Sequence, residues 1–362
     1  MELEQLRARL GAIDRQIIEL VAERQALSRE IGAVKRSEGR ATRDFRREKQ
    51  VIDAVCSHAV DVGVAPGVAG ELIGLLIRSS LTTQEQARVR AEGTGQGQRA
   101  LVIGGRGKMG LWFAEFLDSQ GFDVTIADPA GPAPGYKHVA DWRALPDDFA
   151  VTVVATPLGA TAGILDALAD RGHHGLIFDI GSLKAPLAPA LRRLAARGCR
   201  AASVHPMFGP DTALLSGRHV LFMDAGQAEA VRDARQLFAS TMAQQIEMPL
   251  DEHDRLIAYV LGLSHALNIA FFTALAESGE TAPRLATLSS TTFDAQLDVA
   301  ARVARENPHL YFEIQHLNPQ GIHAIEDLLG AVRRLADIVR AGDEAAFVAL
   351  MEQGRRYLAQ RG

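Results

Sequence analysis

The sequence predicts a multi-domain chain: an all-α helical bundle, then an α/β sheet domain, then a second all-helical region. Three observations predict it. Apolar residues spaced alternately three and four apart run through the first segment. Short β-rich runs alternate with helical ones in the middle, and after Pro249 those runs cease. A length of 362 residues exceeds the roughly 150 that one domain needs. A composition 47% hydrophobic and 23% charged excludes a disordered or disulfide-stapled chain. A net charge of −5 argues against a general polyanion binder. Cys56 and Cys199 lie far apart without metal-ligand spacing, so they read as thiols of a reducing compartment, and no metal site is expected. The start, Met1-Glu2-Leu3-Glu4, is acidic rather than apolar, so no signal peptide is expected. The most apolar stretch, residues 260–276, is interrupted by Ser264, His265 and Asn268 and reads as too short and polar to span a bilayer. A cytoplasmic protein with neither membrane nor nucleic-acid partners is expected.

The expected boundaries are residues 1–90 for the bundle, 91–98 for a Gly- and Gln-rich flexible tether, 99–248 for the sheet domain and 249–362 for the last region. Strands are expected at 100–104, 123–128, 151–156, 176–180, 201–205 and 219–223.

In the first helix, Leu3, Leu6, Leu10, Ile13, Ile17 and Leu20, then Leu27, Ile31 and Val34, form a heptad seam. Position 24 of that seam is Arg24. A buried, unpaired guanidinium is costly, so either an anion meets it or the side chain snorkels out of a coiled coil. The neighbouring helices favour the anion. Asp44, Arg47 and Glu48 share the stripe continued by Val51 and Val55, and the stripe through Leu72 and Leu76 runs into Ser80 and Gln84. Polar groups on three inward stripes, with Lys35 close by, predict a pocket inside the bundle that holds an anion.

Residues 1–90 resemble the all-helical chorismate mutase family. The likeness is carried by Arg7 in LRARLGAID, Arg24 in AERQ, Lys35 in GAVK, Asp44, Arg47 and Glu48 in RDFRRE, and Ser80 with Gln84 in SSLTTQ. The resemblance implies an intertwined homodimer in which Arg7 reaches the partner's site. There, with Arg24 and Arg47, it holds the carboxylates of chorismate. It further implies that Lys35 and Gln84 donate to the ether oxygen, and that Glu48 and the Asp44 region accept from the hydroxyl with Ser80 nearby. Rearrangement to prephenate needs no nucleophile or proton shuttle; holding the compact conformer and stabilising charge on the breaking C–O bond suffice.

The run Leu101-Val102-Ile103 enters Gly104-Gly105-Arg106-Gly107-Lys108-Met109-Gly110, and a helical pattern follows. Gly105, Gly107 and Gly110 fit a G-x-G-x-x-G frame in strand-to-helix context, with Met109 inside it, predicting a Rossmann domain. Asp128, at the end of the second strand, suits a ribose 2′-hydroxyl and repels a 2′-phosphate, so NAD is the expected cofactor. Thr156 and Pro157, at another strand end, are expected to line it.

Strand ends on the same sheet edge carry Ser182 in DIGSLK and His205 in VHPMFGPD. Together with EHDRLIAYVLGLSHALNIA and SSTTFDAQLDVAARVARENPHLY, these segments resemble prephenate dehydrogenase, and the order of parts resembles the bifunctional chorismate mutase/prephenate dehydrogenase family. The resemblance implies that His205 accepts the proton of the substrate 4-hydroxyl as hydride leaves, that Ser182 orients the imidazole, and that His265 and Arg302 hold the substrate. His253 reads as structural. Asp294 departs from the family, whose bifunctional chains carry arginine there. The last region is expected to be a helical dimerisation domain, so the homodimer uses both helical regions. Two alternatives stay open: a dehydrogenase half that prefers arogenate, and an NAD-sensing regulator whose basic first helices contact nucleic acid.

Overall fold

The seam of the first segment forms one helix, α1 (Leu3–Ser37), with a reciprocal Glu2–Gln5 capping box and Lys35 and Arg36 in its last turn. Asp44 caps α2 (Phe45–Asp61) by accepting the Arg47 N–H, and Pro66 starts α3 (Pro66–Ala91). The seam residues from Leu3 to Val34 remain between 44% and 64% exposed, so this apolar edge has no covering partner among the described residues.

The computed structural model describes residues 2–360, and the chain divides into two units. The first holds the chain up to Thr156 with Ala160–Gly181 and Ala190–Met248; the second holds Pro157–Gly159, Ser182–Pro189 and everything from Pro249.

In the first unit, an eight-stranded sheet runs in the order β3-β2-β1-β4-β5-β6-β7-β8. The strands are β1 (Arg99–Ile103), β2 (Asp123–Ala127), β3 (Lys137–Val139), β4 (Val151–Val154), β5 (Leu176–Asp179), β6 (Arg200–Pro206), β7 (His219–Asp224) and β8 (Gln244–Pro249). Pairing is parallel from β3 to β6, and β7 joins β6 antiparallel. Six strands fall where the sequence predicts them; β3 and β8 are additional. The intervening helices are α4 (Lys108–Ser119), α5 (Leu158–Arg171), α6 (Ala188–Ala196) and α7 (Ala228–Leu237). Strand order reverses beside β1, where β2 lies on one side and β4 on the other, and such a switch point gathers ligands at the carboxyl ends of strands.

The bundle is fastened to this sheet domain. Val89 enters the core formed by Phe113, Phe116 and Leu117, and the buried Glu85 carboxylate accepts the N–H groups of Leu215 and Met242. Burial pushes the Glu85 carboxyl up, and those two donors partly offset it. Segment 91–98 is therefore not the free tether its composition suggests. Gly95 and Gly97 donate to the carbonyls of Gln120 and Gly121, and a Cβ on Gly93 or Gly95 would collide with that backbone. Here glycine serves close approach rather than flexibility.

The second unit is helical: α8 (Leu250–Ile257), α9 (Ser264–Glu277), α10 (Ala282–Thr287), α11 (Thr291–Arg305), α12 (Pro308–His316), α13 (Gly321–Ala341) and α14 (Glu344–Ala359). A π-helical segment, Ala258–Leu263, joins α8 to α9, and Gln315 caps the carbonyl of Gly262 in it at 2.8 Å. The three run on as a 28-residue helix, Leu250–Glu277, that is long and apolar enough to cross a membrane by length and composition alone, which is weak evidence for a span. It carries four buried polar residues, His253, Asp254, His265 and Asn268, which interrupt its apolar surface as the sequence reading expects for Ser264, His265 and Asn268.

Asp254 is the anchor of this unit. Its oxygens accept the N–H groups of Lys184 and Ala185 at 2.8 and 2.7 Å, and His253 Nδ1 lies 2.6 Å away. Burial alone would raise this carboxyl, but the His253 ring and the two N–H groups outweigh it and hold it below its ordinary value. A folded value below the unfolded one adds stability above about pH 4 and loses it as pH falls through the folded value. Asp254→Asn is expected to cost about 2 kcal/mol at neutral pH. The gap to wild type should close in thermal melts as pH drops below about 4.

Candidate active sites

Within the bundle, α1 and α3 bring Arg24, Ser80 and Gln84 together. Arg24 Nη1 donates to Ser80 Oγ at 2.6 Å and to the Leu76 carbonyl at 2.9 Å. Its Nε and Nη2 carry no hydrogen bond among the described residues, so a half-buried cation keeps donors for an anion. Lys35 is half-buried and donates to the Thr42 carbonyl at 2.8 Å. Gln84 is buried with its amide N–H groups on Ser28 O and Oγ, at 2.9 and 2.7 Å, while its Oε1 has no partner among the described residues. Gly32 permits this closeness, since a Cβ there would meet the Gln84 side chain at 2.9 Å. The expected donor role requires that amide to turn from Ser28.

Two expected pocket residues are exposed in the single protomer. Asp44 is exposed and spent on its helix cap, and Arg47 is exposed beside it. The reason is local: the cap fixes the start of α2 at the rim of the bundle. Arg7 is also exposed, paired with Glu4 at 2.8 Å. It lies 17 residues before Arg24 on a continuous helix, about 25 Å along the axis. Arg7 cannot serve the site of its own Arg24, only that of another protomer. Glu48 is half-buried and gripped by Arg43, which opens the RDFRRE segment but is given no role by the sequence reading.

At the sheet switch point, Gly104 adopts φ +84°. A Cβ on it would strike the Ala155 carbonyl, and one on Gly110 would strike the Gly104 carbonyl. Gly107 caps α4 without a side chain, which leaves the first helical N–H groups free to meet an anion. Met109 is half-buried in that first turn. Asp128 closes the loop: its Oδ2 accepts the Arg106 N–H at 3.0 Å and its Oδ1 the Ala130 N–H at 2.9 Å. Thr156, at the end of β4, is hydrogen-bonded to Thr161 at 2.9 Å, and Pro157 follows it exposed. A glycine cradle at a helix N-terminus with a carboxylate at the next strand end fits the pyrophosphate and ribose of NAD. Gly104, outside the expected glycine frame, belongs to it. Gly110→Ala is expected to weaken NAD+ binding at least tenfold in calorimetry, because backbone cannot move aside cheaply.

His205 lies in β6, 4% exposed. On the neighbouring β5, fully buried Asp179 accepts Ser203 Oγ at 2.6 Å and the Gly181 N–H at 2.8 Å, fixing the strand ends that precede Ser182 and His205. Ser182 is half-buried and belongs to the second unit. In that unit, buried His265 has an Nδ1 with no partner among the described residues, its ring centroid lies 4.1 Å from that of Tyr311, and burial lowers its pKa. Asn268, one turn on, accepts from Gln296 at 3.0 Å. Arg302 is exposed, and Asp294 accepts from Ser289 Oγ.

Three family descriptions match in succession: chorismate mutase type II over residues 6–85, prephenate dehydrogenase nucleotide-binding domain over 135–247, and prephenate dehydrogenase dimerization domain over 249–353. The second match begins after the glycine loop, so the cradle stands on its geometry. A T-protein of Enterobacter agglomerans is 25% identical across 96% of this chain and 91% of its own. A 4-amino-4-deoxyprephenate dehydrogenase of Streptomyces pristinaespiralis is 33% identical across 73% of this chain and 92% of its own. Among solved structures, prephenate dehydrogenase from A. aeolicus in complex with hydroxyphenyl propionate and NAD+ matches with TM-score 0.59 and 20% identity, covering 72% of this chain and 98% of that one. This last likeness is one of fold.

Proposed function

This chain belongs to the prephenate dehydrogenase family, with a type II chorismate mutase domain ahead of it, and from that premise we propose two successive reactions. Chorismate rearranges to prephenate in the bundle, and prephenate is then oxidised and decarboxylated to 4-hydroxyphenylpyruvate. The observation that carries this is the mutase domain and both dehydrogenase domains in one chain, in the order of T-proteins that align over nearly its whole length.

In the first step, Arg24 and Arg47 hold the two carboxylates together with the partner's Arg7. Lys35 and Gln84 donate to the ether oxygen as its bond to carbon breaks, and Glu48 accepts from the ring hydroxyl. Fixed charges that meet developing charge supply the rate enhancement. In the second step, His205 takes the 4-hydroxyl proton, Ser182 orients its ring, and His265 and Arg302 hold the substrate. NAD+, when bound on the glycine cradle, supplies the hydride acceptor. Aromatisation of the ring then favours loss of the ring carboxylate as CO2.

The exposed seam of α1 and the dimerization-domain match support a homodimer through both helical regions, in the cytoplasm. The direct test mixes chorismate with NAD+, follows NADH absorbance and identifies the product. NADH with 4-hydroxyphenylpyruvate is expected; no NADH from either chorismate or prephenate defeats the reading. A second reading is favoured by the 33% identical relative: the 4-amino series in place of the 4-hydroxy one. 4-Amino-4-deoxyprephenate, assayed alone, is expected to be a poorer substrate than prephenate, and so is arogenate, which keeps the ring hydroxyl and carries its amine on the side chain.

A further inference from the structure

The two substrate series differ at one atom of the ring, a neutral hydroxyl against an amine that is cationic at neutral pH. Under the proposed function, on which this inference rests, Glu48 is the group that meets that atom in the mutase step. A bare carboxylate would favour the cation. Glu48 is not bare. Arg43 grips it with two parallel bonds, Nε to Oε1 and Nη2 to Oε2, each 2.9 Å. Both side chains are largely out of solvent, 28% and 17% exposed, so the pair is only partly screened.

Arg43 is itself held. Its Nη1 donates to Ser216 Oγ at 2.7 Å, and its guanidinium lies 4.1 Å over the Phe45 ring. Ser216 sits in the loop after β6, so the sheet domain fixes the residue that aims a mutase carboxylate. The other carboxylate of this segment, Asp44, is spent on its helix cap. The other charged groups that the proposed function assigns to this site in the same protomer, Arg24, Lys35 and Arg47, are cations.

We propose that Arg43 is a specificity-determining positioning residue: by neutralising Glu48 it makes the mutase site accept a 4-hydroxy cyclohexadiene dicarboxylate and reject the 4-amino analogue. A hydroxyl needs only a lone pair, and a carboxylate gripped by a guanidinium fork retains lone pairs to accept with. An ammonium brings a full charge toward an Arg43 guanidinium that already satisfies the carboxylate. The preference is then built by repulsion as much as by attraction.

The test measures mutase kcat/KM on chorismate and on 4-amino-4-deoxychorismate for the full-length chain. Wild type is expected to favour chorismate by about 100-fold. Arg43→Gln, which removes the charge at similar size, should shrink that ratio by about tenfold or more. Arg43→Lys keeps the charge and loses the fork; it should slow both substrates together and leave the ratio within about threefold. A general loss of structure would not change the ratio, and thermal melts identify a misfolded variant. A wild type that prefers the amine, an Arg43→Gln ratio within about twofold of wild type, or an Arg43→Lys ratio shifted about tenfold overturns the proposal. The last outcome suffices even if Arg43→Gln fails to fold. A wild type that turns over neither compound overturns the mutase reading itself.

Discussion

Arg24→Ala is expected to abolish NADH formation from chorismate while leaving NADH formation from prephenate at the wild-type rate. The guanidinium is tied to α3 through one nitrogen only, to Leu76 O and Ser80 Oγ. The other donors remain for a substrate carboxylate. Deletion should cost little in folding. The Leu76 carbonyl still receives Ser80 Oγ at 2.9 Å, so no buried acceptor is orphaned, and the loss is about 1 kcal/mol. Catalysis should suffer far more, on the order of 10²–10³-fold in mutase kcat/KM, because a fixed charge on a dicarboxylate has no substitute. Feeding the two substrates separately isolates the step. Equal rates from chorismate in variant and wild type would remove the bundle from the chemistry and leave it a dimerising device.

Much of this is legible from the residues alone, for a physical reason. A seam repeated along a long helix, with one arginine in it, is a local pattern. So is a glycine frame between a strand and a helix, and both survive in the structure. β3 and β8 are not legible. The first is three residues with two polar members, and the second is exposed at four of its six positions and shows no alternating apolar face. Edge strands carry little hydrophobic signal. Buried charges are the other omission. Glu85 stands between buried Leu81 and Val89 at spacings of four, so its apolar stripe marks it as buried. Its partners, the N–H groups of Leu215 and Met242, are backbone groups more than a hundred residues away, which no side-chain motif encodes. Arg43 is hidden differently: its fork closes onto Glu48 across the helix cap, outside the three- and four-residue spacings by which helix neighbours are read.

His205→Asn is the second large effect, and it bears on the other half of the chain. Asparagine retains a polar side chain that can still hydrogen-bond a substrate hydroxyl, but it cannot take up the proton. The hydride step should therefore fall by about 10²–10⁴-fold, the usual contribution of a general base. NAD+ affinity should stay near wild type, since the cradle of Gly104, Gly107 and Gly110 with Asp128 stands at the ends of β1 and β2, while His205 stands on β6. Rapid-mixing NADH kinetics with saturating prephenate read the first quantity, and calorimetric titration of NAD+ reads the second. The separation matters because His205 is buried, and a buried histidine is as often a packing group as a base. Loss of NAD+ binding, or a melting temperature lowered by many degrees with the rate per folded enzyme unchanged, would assign it to the fold. A slow enzyme that binds its cofactor normally would leave proton removal as the one function lost.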